Sequence, residues 1–319
     1  MGSEKSLKKT VFIKNALILT ASSLILRFVG IIFKVWLAKL IGSEGIGLYH
    51  LVFSVYMLAA TFATSGICTA VTRLAAEELA LGTKKGTVKI LKRSVELTLI
   101  IAAATVAVIF FGAEFIAKYF LNDMRAVPAL KILPLSLPFM GVTSCLRGYF
   151  IARRKITPNA VSQLFEQAVR ILLVVVLVKK FLSKGLGFTC GAVLFGDCAA
   201  EAFSFLMLLF IYKRDLKKLS ALSGRERPPF GILRRILHIS VPITSGRYLN
   251  TALRTAENIL VPRNLAKYPF GGSNALSQFG MIKGMALPIL FFPSTLLNSI
   301  STLLIPEISE ADARGQKWL

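Results

Sequence analysis

The chain has 319 residues, 55% of them hydrophobic, and its 39 Lys and Arg against 16 Asp and Glu give a formal net charge of +23. Soluble domains run at about 45–50% apolar residues; here the excess is gathered into long blocks and mean hydropathy is +0.66, the pattern of membrane helices. The basic residues sit in short loops between those blocks, so the positive-inside rule accounts for them. That excludes nucleic acid as the partner and points to anionic membrane lipids as the surface partner.

Eight candidate spans follow in chain order, at residues 15–41, 46–76, 94–120, 127–151, 159–178, 187–212, 236–261 and 277–308. The first is long enough to cross a bilayer, since about 20 apolar residues span the hydrocarbon core. Yet it carries Arg27 near its middle and Lys34 seven residues on, so both fall on one helix face with Ser23 and Gly30. A charge at that depth costs roughly 2.5–3.5 kcal/mol on insertion scales, which an anchoring helix has no reason to bear. The spacing predicts a cationic face turned toward a wet cavity. The basic N-terminus (MGSEKSLKKT) precedes a run too long and too charged for a cleaved signal peptide.

Loop charge then alternates. Lys5, Lys8, Lys9 and Lys14 precede span one; Lys84, Lys85, Lys89, Lys92 and Arg93 follow span two; Arg153, Arg154 and Lys155 follow span four. The intervening loops carry fewer, apart from Lys179, Lys180 and Lys184 after span five. The bias places the N-terminus in the cytoplasm. The loop of residues 213–235, with its GRERPP run, is a basic linker. It divides a six-helix N-terminal lobe (1–212) from the first two helices of a second lobe (236–319). The expected fold is therefore an all-α integral membrane protein of about eight transmembrane helices, with the second lobe cut short.

An internal repeat supports the division. TASSLILR and GSEGIGLYHLV in the first half answer TSGRYLNTALR and GGSNALSQFGMI in the second, placing Arg27 on Arg254, Gly42-Ser43 on Gly272-Ser273 and Tyr49 on Phe279. Such repeats are common in transporters, with the substrate site between the halves.

Polar residues inside the spans carry the chemistry. In span five, Glu166 and Arg170 are spaced to pair on one face, as a charge relay or as a structural ion pair. In span six, Asp197 and Glu201 share a face; they form a proton or cation site, or each pairs with a cation on span one or seven. In span seven, Arg247, Asn250, Arg254 and Glu257 are spaced 3, 4 and 3 apart and form one polar stripe. Lys283 lies early in span eight. Arg73, Arg147 and Lys14 lie near predicted cytoplasmic ends, where long side chains snorkel. Pro134 and Pro138 in span four, and Pro288, Pro293 and Pro306 in span eight, allow bends.

The substrate-binding set read from this pattern is Arg27, Lys34, Arg247, Asn250, Arg254 and Lys283; the coupling set is Glu166, Arg170, Asp197, Glu201 and Glu257. Intramembrane arginines in both halves suit an anion, because guanidinium forks phosphate oxygens. A lipid diphosphate has such a headgroup and a tail that stays in the bilayer. Cys68, Cys145, Cys190 and Cys198 form no CxxC pair and read as small buried hydrophobes. His50 and His238 are far apart, so no metal ligand set is visible, and no cofactor is implied.

The run LPILFFPSTLLNSISTLLIPEISEA, with GSEGIGLYHLV and GRYLNTALRTAENILVP, resembles the stage V sporulation protein B group. These are polysaccharide-biosynthesis-type members of the multidrug/oligosaccharidyl-lipid/polysaccharide exporter superfamily. The resemblance implies two six-helix lobes in a V around a central cavity. It also implies movement of a lipid-linked saccharide across the cytoplasmic membrane by alternating access, for cell-wall or spore-cortex peptidoglycan. Related lipid II flippases place an arginine in the first helix within a pattern like LRFVG, which marks Arg27. Lys34 neighbours their second basic position, and Lys283 is similar in place to a basic residue on their eighth helix. The acid that follows their first loop is replaced here by about Leu48. Against the family's length the chain ends after helix eight, as a truncated product or fragment would.

Three other readings stand beside the flippase. A drug or organic-cation antiporter of the same superfamily requires an acidic cavity, with Asp197 and Glu201 exposed and the arginines paired away. A membrane enzyme such as a prenyl-phosphate transferase requires acid clusters or a histidine nucleophile at the membrane surface, which the loops lack. A non-transporting partner fragment follows from the missing helices.

Overall fold

The computed structural model describes residues 2–64, 66–80, 84–181, 185–220, 231–267, 272–291 and 294. Their regular elements are helical: α1 (Gly2–Thr64), α2 (Ile67–Ala80), α3 (Lys84–Phe115), α4 (Val127–Ile132), α5 (Leu137–Ala152), α6 (Thr157–Phe181), α7 (Leu186–Ser220), α8 (Ile232–Leu265), α9 (Gly272–Met281) and α10 (Leu287–Leu290). A π-helical turn, Ile116–Leu121, extends α3, and another, Ile282–Ala286, joins α9 to α10.

Spans one and two run together in α1, broken only at Gly42, whose φ of 73° and ψ of 170° are not helical. Glycine reaches that φ without a Cβ penalty. The break separates a first arm, 2–41, from a second, 43–64. Expected span two is itself two pieces, because the chain turns again at Gly66, with φ at +76°. A Cβ there would collide with the Ser240 carbonyl oxygen of α8, so the turn is where α8 crosses. The bend expected in span four falls at a 3₁₀ segment, Leu133–Ser136, which contains Pro134, with Pro138 in the first turn of α5. Most of span eight beyond Phe291, including Pro293 and Pro306, lies outside the described residues.

Among the described residues, four helical segments are long and apolar enough to cross a membrane: Lys85–Leu121, Met124–Ala152, Thr157–Phe181 and Gly187–Lys217. The distribution of side chains fits a lipid-facing exterior. Phe111 is 85% exposed and Val108 71%, whereas Asp197 and Asp215 are 7% exposed. The protein is a multi-pass membrane protein with carboxylates buried between its helices.

Its largest core cluster surrounds the second arm of α1, with Leu48 and Val52 against Leu130, Leu133 and Leu194. On another side of that arm α9 comes in at backbone distance. A Cβ on Gly47 would strike the Leu276 carbonyl oxygen, and one on Gly280 the Ser43 carbonyl oxygen. The hydroxyls of Ser43 and Ser277 hydrogen-bond across the same seam. Small residues let membrane helices pack this closely. The segments that meet here are those the internal repeat relates. The far ends of α5 and α7 are clasped by buried Asp215, which accepts hydrogen bonds from Tyr149 (3.0 Å), Lys155 (2.7 Å) and Arg153.

Candidate functional site

Two polar regions lie inside this frame. The first is a ladder through the N-terminal helices. On α6, Glu166 accepts from Arg170 at 3.1 Å, one turn along the same helix, and from Arg147 of α5 at 3.0 Å. Arg170 Nε lies 3.0 Å from Asp197 Oδ1 of α7, an ion pair without hydrogen-bond alignment. Tyr49, on the second arm of α1, donates to the other oxygen of Asp197 at 3.3 Å. Four helices are thus tied through two carboxylates and two guanidinium groups, in a setting where an unpaired buried charge costs several kcal/mol.

The expected relay residues Glu166, Arg170 and Asp197 are brought together, with two corrections. Asp197 pairs with Arg170 of span five, not with a cation on span one or seven. Arg147 does not snorkel to the surface; it turns inward to Glu166 and is 26% exposed. Glu201, one turn beyond Asp197, is half-buried and has no ion pair or side-chain hydrogen bond among the described residues.

The second region is a cleft of about 560 Å³ between the second arm of α1, the start of α2, α5 and α8. From α1 come His50, Ser54, Met57, Thr61 and Thr64; α8 supplies Arg247, Asn250, Thr251, Arg254, Thr255 and Asn258. Cys68 and Ser144 also line it, so Cys68 is a half-buried wall residue. The two walls are stitched by hydroxyl and amide contacts. Thr61 meets Thr251 at 3.2 Å, Asn258 Nδ2 donates to Ser54 Oγ at 2.7 Å, and Thr255 donates to the Ser54 carbonyl at 3.2 Å.

The stripe on α8 therefore faces the cleft with Arg247, Asn250 and Arg254, and Arg254 Nε donates to Asn250 Oδ1 at 3.2 Å. Glu257 leaves this group and pairs with Lys283 of the second π turn at 2.9 Å. Arg27 and Lys34 are half-buried on α1. Lys34 lies within electrostatic range of Arg27, Asp197 and Arg170. None of Arg27, Lys34 and Arg247 makes an ion pair or side-chain hydrogen bond among the described residues, and the only such partner of Arg254 is the neutral Asn250.

Sequence reasoning missed the neutral wall. Its signal was present: His50, Ser54, Met57, Thr61 and Thr64 are spaced 4, 3, 4 and 3 apart, one helix face that is more polar than its neighbours.

Similarity to known proteins agrees with this architecture. Among solved structures, the fold matches the inward-facing conformation of a multidrug resistance MATE family transporter of the MOP superfamily. The TM-score is 0.66 at 12% identity, covering 94% of this chain and 68% of that one. In sequence, it is 32% identical over 305 residues to stage V sporulation protein B of Bacillus subtilis (strain 168), covering 95% of this chain and 59% of the relative. It is 22% identical over 319 residues to lipid II flippase MurJ of the same organism, covering 95% and 58%. The chain thus spans somewhat over half the length of these relatives. The family model for polysaccharide biosynthesis proteins matches residues 12–311, and the chain belongs to that family.

Proposed function

We propose that this chain binds a lipid-linked saccharide diphosphate, a lipid II-like peptidoglycan precursor or polysaccharide unit. We further propose that it moves this lipid across the cytoplasmic membrane by alternating access, as part of a flippase. One observation carries the reading: the intramembrane cations divide by partner. Among the described residues Arg147, Arg170 and Lys283 form ion pairs with carboxylates, whereas Arg27, Lys34, Arg247 and Arg254 form none, Asp197 acting on Lys34 only at longer range. A cation without a partner at membrane depth is stabilised by an anion that arrives, and the diphosphate supplies it. The serine, threonine and asparagine wall suits the hydroxyl groups of a saccharide.

In this reading Arg27, Lys34, Arg247, Asn250 and Arg254 hold the substrate, and Lys283 joins them by exchanging Glu257 for the diphosphate. Glu166, Arg170, Asp197, Glu201 and Glu257 form the charge relay that couples binding to movement. The two repeat-related halves are a six-helix lobe and the start of a second, about eight spans in all, with the N-terminus cytoplasmic. An organic-cation antiporter fits less well, because of the two acids it requires in an open cavity Asp197 is buried against Arg170 and Glu201 is half-buried and does not line the cleft.

The test is flipping of a fluorescent lipid-linked saccharide in proteoliposomes, read by an impermeant quencher. Arg254→Ala and Arg27→Ala should each slow flipping at least about tenfold, the loss of one charge-assisted contact. Unchanged rates in both would overturn the anion-site reading.

A further inference from the structure

The polar groups of the cleft have spent their hydrogen atoms unevenly. Ser54, Thr61, Thr64 and Thr251 each donate to the carbonyl oxygen one helical turn back, on His50, Met57, Ala60 and Arg247, at 2.7–2.9 Å. Thr255 donates across to the Ser54 carbonyl. A hydroxyl has one proton and two lone pairs. With the proton committed to the backbone, each of these side chains has only lone pairs left to offer a ligand.

Asn258 extends the pattern. Ser54 Oγ, having given its proton to His50, can only accept, so the amide turns its Nδ2 to it at 2.7 Å. Its Oδ1 is left over, buried and without a hydrogen-bond partner among the described residues. A carbonyl oxygen stranded in this way costs about 1–3 kcal/mol, which a donor on a ligand recovers. The neighbouring edge of the cleft is the reverse. Arg247 and Arg254 are donors only, and Asn250, whose Oδ1 already accepts from Arg254, has its amide N–H groups left. Helical spacing puts Arg247, Asn250 and Arg254 together on α8, with Thr251, Thr255 and Asn258 beside them on the side that touches α1. The cleft is therefore polarised into a donor edge that suits an anion and an acceptor wall that does not.

We propose that the acceptor wall is a sugar subsite that reads hydrogen-bond donors. Thr61, Thr251 and Asn258 accept from the hydroxyl or amide N–H groups of a neutral sugar next to the diphosphate, and an acidic sugar in that place is rejected. A carboxylate has no proton to give them and sets its own lone pairs against theirs. This subsite rests on the lipid-linked saccharide reading above and adds to it the class of sugar and the residues that select it.

The experiment is equilibrium binding to the full chain in nanodiscs of a polyprenyl diphosphate in three forms: sugar-free, carrying a neutral hexose, and carrying the matching hexuronic acid. Phosphatidylcholine is the control. In wild type the neutral sugar should raise affinity about tenfold or more over the sugar-free lipid, and the acidic sugar by less than about twofold. Asn258→Leu and Thr61→Val should each cut the neutral sugar's gain by about threefold or more and leave the sugar-free lipid within about twofold. Thr61→Ser, which keeps the oxygen, should keep the gain. Retained binding of the sugar-free lipid shows that each variant is folded. The subsite would be overturned by a wild type that gains nothing from the neutral sugar, or gains as much from the acidic one. It would equally be overturned by a gain that survives both substitutions, or by variants that weaken the sugar-free lipid as much as the neutral one. Wild type that holds the sugar-free diphosphate no better than phosphatidylcholine would overturn the anionic-lipid reading beneath it.

Discussion

At the level of single residues, what matters about each intramembrane charge is whether another charge stands beside it. Arg170 sits between Glu166 and Asp197, so replacing it strands two carboxylates in a medium that cannot solvate them. Arg170→Ala should cost on the order of 3–5 kcal/mol and lower the thermal unfolding midpoint in detergent. Arg27→Ala strands no carboxylate among the described residues, so its unfolding free energy should stay within about 0.5 kcal/mol of wild type. Equal losses in the two variants would make Arg27 a structural residue. The sequence shows part of this division. The seven-residue spacing of Arg27 and Lys34 and the four-residue spacing of Glu166 and Arg170 are properties of one helix and can be read from it. The links Arg147–Glu166, Arg170–Asp197 and Tyr49–Asp197 join different helices. Helical periodicity says which face a residue is on but not which helix that face meets, so the partner of Asp197 and the inward turn of Arg147 had to come from the packing.

At the level of elements, helix lengths and breaks follow rules that hydropathy does not see. α3 begins at Lys84 and α7 continues to Ser220, both beyond their apolar blocks. Lys and Arg are good helix formers, so the helix continues into the polar layer after the hydrophobic signal stops. Gly42 breaks α1 in the gap expected between spans one and two, whereas Gly66 breaks the helix inside expected span two, where hydropathy gives no sign of it. The seam between α9 and the second arm of α1 depends on missing Cβ atoms. Gly280→Ala puts a methyl group against the Ser43 carbonyl oxygen and should cost about 1–3 kcal/mol of helix docking. The check is disulfide formation between Ser43→Cys and Ser277→Cys. Cross-linking should be efficient with Gly280 in place and fall sharply with Ala; efficient cross-linking in both would show that the close approach is not required.

At the level of the whole molecule, the family, the helical membrane fold and the separation into a charged ladder and an open polar cleft form one consistent arrangement. The ladder ties the N-terminal helices together. The cleft lies where α8 meets the second arm of α1. A transporter that alternates its access needs such a division, with a rigid body on one side and a substrate held at a contact that can separate. The central proposal is that Arg247 and Arg254 of the cleft, together with Arg27 and Lys34 on the first arm of α1, recognise an anionic lipid headgroup. The most direct measurement is equilibrium binding of an undecaprenyl diphosphate saccharide, against a panel of organic cations, to wild type and Arg27→Ala in nanodiscs. The account predicts saturable binding of the lipid that weakens about tenfold or more in the variant, and no comparable binding of the cations. Binding of a cation that is indifferent to Arg27, with no binding of the lipid, would contradict it.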